Sequence, residues 1–146
     1  QVDPEKSMFK TYSEEEVFLN ALIAFAQADG TGSIYAFWLP EDTKDLDQAP
    51  IVTFGSEGGF HIIAQNIKAL LEMLSLDVEP MIDWEEAYFF KDEGDYEASP
   101  YRDQYQAWLR DNYQIAAITD AGPLVEQAQE SFQEKFKDWM GQYYAG

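Results

Sequence analysis

Apolar positions along the chain recur first at helical spacing, then at strand spacing, then at helical spacing again. In SEEEVFLNALIAFAQA, Val17, Phe18, Ala21, Leu22 and Phe25 share one face of a 3.6-residue repeat, which predicts a helix from Ser13 to about Ala28. Ser13 and Glu16 precede that run at capping-box spacing, the serine accepting an amide bond and the glutamate reaching back. IYAFWL at 34–39 is β-branched and aromatic and reads as a strand, as do Ile51–Phe54 and Phe60–Ala64. Between the last two lies GSEGG, whose glycines accept positive φ and permit a tight hairpin, with Gly55 and Gly58 as its structural turn residues. Asn66 then caps a helix over IKALLEML, with Ile67, Leu70, Leu71 and Leu74 inward. Ser99-Pro100 predicts a further helix start, serine as cap and proline in the first turn, followed by an apolar stripe of Tyr101, Tyr105, Trp108 and Leu109. Gly122-Pro123 opens the last helix, where Val125, Ala128, Phe132, Phe136 and Trp139 repeat helically.

Strand, turn, strand and helix joined by short links indicate an α+β protein rather than a doubly wound one. The expectation is a small mixed or antiparallel sheet wrapped by several helices, one domain over residues 1–146, with 1–12 a flexible N-terminal segment. A chain of 146 residues buries about 70% of the surface its unfolded form exposes, and 10 Phe, 9 Tyr and 4 Trp supply ample core. The absence of cysteine excludes disulfides, thiolate zinc sites and cysteine nucleophiles, and suits a reducing cytoplasm. No apolar run approaches the ~18 residues of a membrane span. QVDPEKSMFK has neither an apolar signal segment nor an initiator methionine, so a preceding segment is left open.

QADGTGSIYAFW at 27–38 follows the order of a calcium loop, and fails its chemistry. With Gly32 at the sixth position, the ligand positions hold Gln27, Asp29, Thr31 and Trp38, one carboxylate where several are needed and an indole where a bidentate Glu belongs. The stretch reads instead as a turn built on Gly30 and Gly32, leading from a helix end into a strand.

Charge narrows the partners. Twenty-eight acids against 9 bases give −19, a field that repels phosphates and anionic membranes and draws cationic proteins. The acids concentrate at 77–103, where Asp77, Glu79, Asp83, Glu85, Glu86, Asp92, Glu93, Asp95, Glu97 and Asp103 face only Lys91 and Arg102. Candidate chemistry is sparse. His61, the single histidine, sits in a strand with no nucleophile at a defined spacing, and GSEGG is not a G-x-S-x-G elbow. Glu85 and Glu86 beside Trp84 and Tyr88 offer the best carboxylate pair for a hydrolase of sugars. KDEGDYEAS is oxygen-rich but matches no metal-loop spacing, and GSEGG carries no lysine to cradle a phosphate. No catalytic residue, metal or cofactor is assigned.

From Phe25 to Leu74 the order of pieces resembles the SUKH superfamily: a leading helix, an aromatic strand at Ile34–Leu39, a hydrophobic strand at Ile51–Phe54 running into Gly55-Ser56-Glu57-Gly58, the strand Phe60–Ala64, and the leucine-rich helix Asn66–Leu74. The resemblance covers about a third of the chain and implies an α+β fold without shared catalytic residues. Many bacterial members are immunity proteins that neutralise a toxin domain, often a nuclease. It thus implies a non-enzymatic, cytoplasmic binder of a basic toxin. Interface anchors favour aromatic residues and desolvated charges. The densest such mixture makes Trp84, Glu85, Glu86, Tyr88, Asp92, Glu93, Asp95, Tyr96, Glu97 and Tyr101 the expected partner-binding residues. An intracellular scaffold module, or the hydrolase built on Glu85 and Glu86, are the alternatives.

Overall fold

The computed structural model describes residues 9, 12–28, 32–39, 46–55, 59–78, 80–83, 85–89, 96–118 and 120–144. Gly30, Gly58, Trp84, Asp92, Glu93 and Asp95, named above, lie outside them. The elements run α1 (Glu16–Asn20), β1 (Leu22–Gln27), β2 (Ile34–Trp38), β3 (Ile51–Phe54), β4 (Phe60–Ala64), α2 (Ile67–Leu74), β5 (Pro80–Ile82), β6 (Ala87–Phe89), α3 (Arg102–Tyr113) and α4 (Gly122–Gly141). The fold is α+β. One sheet has the order β1-β2-β3-β4, every neighbour antiparallel, and a second pairs β5 with β6. Both sheets are therefore purely antiparallel rather than mixed.

Strands β2 to β4 and helix α2 form where the pattern predicts them. Asn66 caps α2 through its side-chain oxygen, which accepts the Ala69 amide at 2.9 Å. The GSEGG hairpin closes with the Gly55 amide donating to the Gly59 carbonyl at 2.9 Å. Positive φ falls on Gly59 (88°), not on Gly55, and in the preceding hairpin on Gly32 (107°).

The first helix is the main departure. It stops at Asn20, and Leu22–Gln27 forms a strand paired with β2, with a bulge between Ala24 and Ala26. Alanine and leucine favour a helix there, but β2 offers a row of unpaired backbone groups, and satisfying that row outweighs local propensity. The inward face changes accordingly: Phe18, Ala21 and Leu22 are buried, whereas Val17, Ile23 and Phe25 are exposed. The capping box does not form either. Glu15 is the cap residue, and the Ser13 hydroxyl accepts the Glu15 amide at 3.2 Å instead. Helix α3 likewise begins at Arg102 without a side-chain cap, Ser99 contributing only its carbonyl.

Alternate residues of the four-stranded sheet feed two cores, as strand periodicity requires. Tyr35, Ile51 and Ile63 face α2, β6 and the start of α4, packing with Leu70, Met73, Phe89 and Val125. Ala36, Trp38, Val52, Phe54 and Ile62 face α1 and the rest of α4, packing with Phe18, Phe136 and Met140. Phe9, within the segment expected to be flexible, is fully buried against Phe54 at a ring separation of 4.9 Å.

Strand β4 is an edge strand, yet residues 61–64 are wholly buried. Helix α4 lies along its free edge and supplies the missing hydrogen bonds from side chains one turn apart. Gln129 Nε2 donates to the Ile62 carbonyl (3.0 Å), Gln133 Oε1 accepts the Ile62 amide (2.7 Å), and Lys137 Nζ donates to the Phe60 carbonyl (2.6 Å). A column of polar side chains at i, i+4, i+8 thus replaces a fifth strand, and the edge is closed against pairing with another chain.

Candidate partner-binding surface

The residues expected to meet a partner fall into two groups, each positioned by different elements. The first is the β5–β6 hairpin. Asp83 holds its turn: one carboxylate oxygen accepts the amides of Glu85 and Glu86, both at 2.8 Å, while the Asp83 amide donates to the Glu86 carbonyl. Those two backbone donors, Glu86 then Glu85, hold the Asp83 carboxyl below the usual range. With their backbones tied, Glu85 and Glu86 are exposed. Directly across the ladder from each other, Met81 and Tyr88 present apolar surface to solvent, 54% and 38% exposed.

The hairpin is anchored to the main sheet through His61. The Ile62 amide can only donate, so it fixes the oxygen of the Gln133 side chain toward itself. The Gln133 nitrogen then faces His61 Nδ1 at 3.3 Å, which makes Nδ1 an acceptor and places the ring proton on Nε2, 2.6 Å from the Asp83 carbonyl. Burial pushes the His61 pKa down, with Lys137 adding to it, against the raising effects of the Asp83 carbonyl and carboxylate. His61 is a neutral tie between β4, α4 and the hairpin turn, with both ring nitrogens occupied.

The second group surrounds Asp77, a left-handed residue (φ 62°) just past α2. Its Oδ2 accepts the Tyr96 hydroxyl at 2.8 Å and the Ser99 amide at 2.7 Å. Burial pushes this carboxyl up, but the donors from Ser99 and Tyr96, with Arg102 nearby, outweigh it and hold it below its ordinary value. Tyr96 is therefore half-buried and tied down, its phenol raised first by burial and then by Asp77. Glu97 and Tyr101 are free of that constraint; Tyr101 is 70% exposed.

Helix α3 carries aromatic surface that the sequence reading placed inward. Leu109 is fully buried, and Tyr105 is half-buried with its hydroxyl on the Leu71 carbonyl at 2.8 Å. Trp108 is 44% exposed, flanked by Tyr105 (ring centroids 6.0 Å) and by Tyr113 (5.3 Å), itself 41% exposed. The available signal was the helix composition: Arg, Asp, Gln and Asn fill the turns around Trp108, leaving it little apolar company to pack with.

Few cations balance this surface among the described residues. Arg102 pairs with Asp103 at 3.2 Å, and Lys137 lies over the Phe60 ring, 4.4 Å from its centroid, with its amine on β4. Burial pushes the Lys137 pKa down. Along the outside of α4, Glu126, Glu130, Glu134 and Asp138 recur every fourth residue, all exposed. At about 100° per residue, that spacing rotates the stripe by about 40° per step, from the flank carrying Gln133 toward the flank carrying Trp139. Like charges at i, i+4 repel, so the stripe carries a small stability penalty that a cationic neighbour would remove.

No group of three or more possible metal ligands gathers among the described residues, and no described helix is long and apolar enough to cross a membrane. No protein-family model matches the chain, nor does any curated protein or solved structure.

Proposed function

We propose that this chain is a binding protein that neutralises a basic toxin domain, most simply a nuclease, by covering its phosphate-binding surface with carboxylates and exposed aromatic rings. The observation that carries this reading is the exposure of Tyr88 beside the carboxylates of Asp83, Glu85 and Glu86, with Tyr101, Trp108 and Tyr113 exposed along a charge-balanced α3, in a chain whose net charge is −19. Aromatic rings left in water beside like charges cost stability in the free chain, and an interface recovers it by desolvating the rings against a complementary field. The SUKH-like order of β2, β3, the hairpin, β4 and α2 supports the same role. The departure lies in front of β2, where the leading helix implied by the resemblance is a five-residue helix followed by a strand.

The test is direct. The reading expects a basic nuclease domain to be encoded beside the gene; the chain is mixed with that domain, and DNA cleavage is followed at increasing ratios. Cleavage should stop at a 1:1 ratio, and association should slow steeply as salt rises. Full cleavage in the presence of excess chain overturns the reading; stable capture of a non-toxic cellular protein instead favours a scaffold role.

A further inference from the structure

The tie through His61 is built for one charge state. The Gln133 carboxamide has one oxygen and one NH2 group, and two groups of the β4 edge use them. The Ile62 amide takes the oxygen at 2.7 Å, and His61 Nδ1 takes the nitrogen at 3.3 Å. This arrangement needs a bare lone pair on Nδ1. A proton there sets N–H against N–H. Turning the carboxamide over gives the imidazolium its acceptor, but it moves the NH2 group onto the Ile62 amide, which can only donate. Either way a donor faces a donor where His61 is 1% and Ile62 0% exposed, so water cannot answer it in place. The Asp83 carbonyl is already spent on Nε2, at 2.6 Å.

Two charges are felt at the ring, in opposite senses. The Asp83 carboxylate favours the proton, but its Oδ1 is held by the amides of Glu85 and Glu86; Lys137, on α4, opposes the proton. The other ionic groups of the surrounding elements lie outward: Glu85 and Glu86 at the hairpin turn, Glu130 and Glu134 on α4 and Lys68 on α2 are exposed, and Glu72 on α2 is half-buried. Strands β3 and β6 carry no ionic side chain, and the Tyr88 phenol is exposed. We propose that His61 is a proton-operated latch on the β4 edge: neutral, it lets Gln133 hold the Ile62 amide and keep the middle of α4 against the sheet, and protonated, it displaces Gln133 and opens that edge. Gln129 and Lys137, one turn away on either side, keep their bonds to the Ile62 and Phe60 carbonyls, so the opening is local. The neutral ring thus closes the edge to other strands, and acid bares the Ile62 N–H. Burial, with Lys137 adding to it, sets the transition on the acid side of the ordinary histidine range.

The experiment uses the whole chain labelled with nitrogen-15, followed by NMR from about pH 7.5 to about pH 4.5, a span that brackets histidine titration. The ring signals of the single histidine report its tautomer and its midpoint. Hydrogen exchange, corrected for the intrinsic effect of pH, reports the Ile62 amide. The neutral ring should carry its proton on Nε2. Ile62 should lose at least about tenfold of its protection with the same midpoint as the ring, while Val52, in the interior strand β3, keeps its own. Gln133→Glu should remove the latch, because a carboxylate accepts from both donors. That variant should bind the His61 proton at least about tenfold more tightly and keep Ile62 protected after the ring is charged. An Nδ1–H tautomer at neutral pH, an Ile62 amide that ignores the ring, Val52 losing protection in step with Ile62, or a midpoint not raised in Gln133→Glu overturns the proposal. Should Gln133→Glu fail to fold, the tautomer and the paired Ile62 and Val52 exchange in the parent decide. None of these readouts involves a partner, so the latch stands or falls apart from the neutralising role.

Discussion

Replacing Gln133 tests the closure of the sheet edge most sharply, because one side chain satisfies two buried partners. Its oxygen accepts the Ile62 amide at 2.7 Å and its nitrogen meets His61 Nδ1 at 3.3 Å, both on residues that are essentially fully buried. Truncation leaves a buried donor unpaired, which costs about 1–3 kcal/mol, and removes a second, weaker bond of about 1 kcal/mol. Gln133→Ala should therefore destabilise the fold by about 2–4 kcal/mol, less whatever an entering water restores. Gln133→Leu fills the same volume and keeps water out, so it should lose at least as much although it is the more hydrophobic change. Glu134→Ala, one position along and exposed, should stay within about 0.5 kcal/mol of the parent. Urea unfolding at neutral pH gives the three free energies, and amide exchange at Ile62 reports the edge itself. If Gln133→Leu unfolds with the parent's midpoint, or if the Ile62 amide stays as protected as before, the edge-closure argument is wrong.

Other outcomes follow from the same geometry. His61 is held neutral by burial, so below about pH 6.5 the unfolded chain takes up a proton before the folded one; the stability it contributes above that pH declines as pH falls toward its lowered folded value. The stability advantage of the parent over His61→Gln should accordingly narrow between pH 7 and pH 5, and a constant gap in paired urea titrations would refute this. Tyr105 is pushed up to about 12 by burial, so ultraviolet titration should show one late phenol that disappears in Tyr105→Phe. That variant should lose about 1 kcal/mol with its bond to the Leu71 carbonyl, and the stability linked to the phenol should be full below about pH 10 and fade toward pH 12. Asp77→Ala unties Tyr96 and Ser99 together, so limited proteolysis should begin cutting near 96–99; an unchanged digestion pattern would mean the segment is held elsewhere. Glu85→Lys with Glu86→Lys, and separately Asp92, Glu93 and Asp95 to Lys, should each lower toxin affinity and flatten its salt dependence; a set that changes neither lies outside the interface.

The sequence by itself determined the three central strands, the Asn66-capped helix, the long last helix and the acidic character of the surface. Each of these rests on interactions within a few residues: alternation over four or five positions, a cap three residues from its amide, apolar residues one helical turn apart. Glu85, Glu86, Tyr88, Glu97 and Tyr101, expected from the sequence to meet a partner, lie at exposed positions. Tertiary structure decided what depends on partners distant in the chain. Leu22–Gln27 became a strand because β2 had an edge to fill, against the helical preference of its alanines. Tyr96 was drawn inward by Asp77, 19 residues away, whereas Trp108 was left 44% exposed, Leu109 alone of that stripe being fully buried. Gln129, Gln133 and Lys137 look like the wet side of an amphipathic helix until β4 lies beside them, some 70 residues away, needing donors and an acceptor along its edge. A polar side chain carries the same letters whether it meets water or a backbone, and only the packing of distant elements decides which.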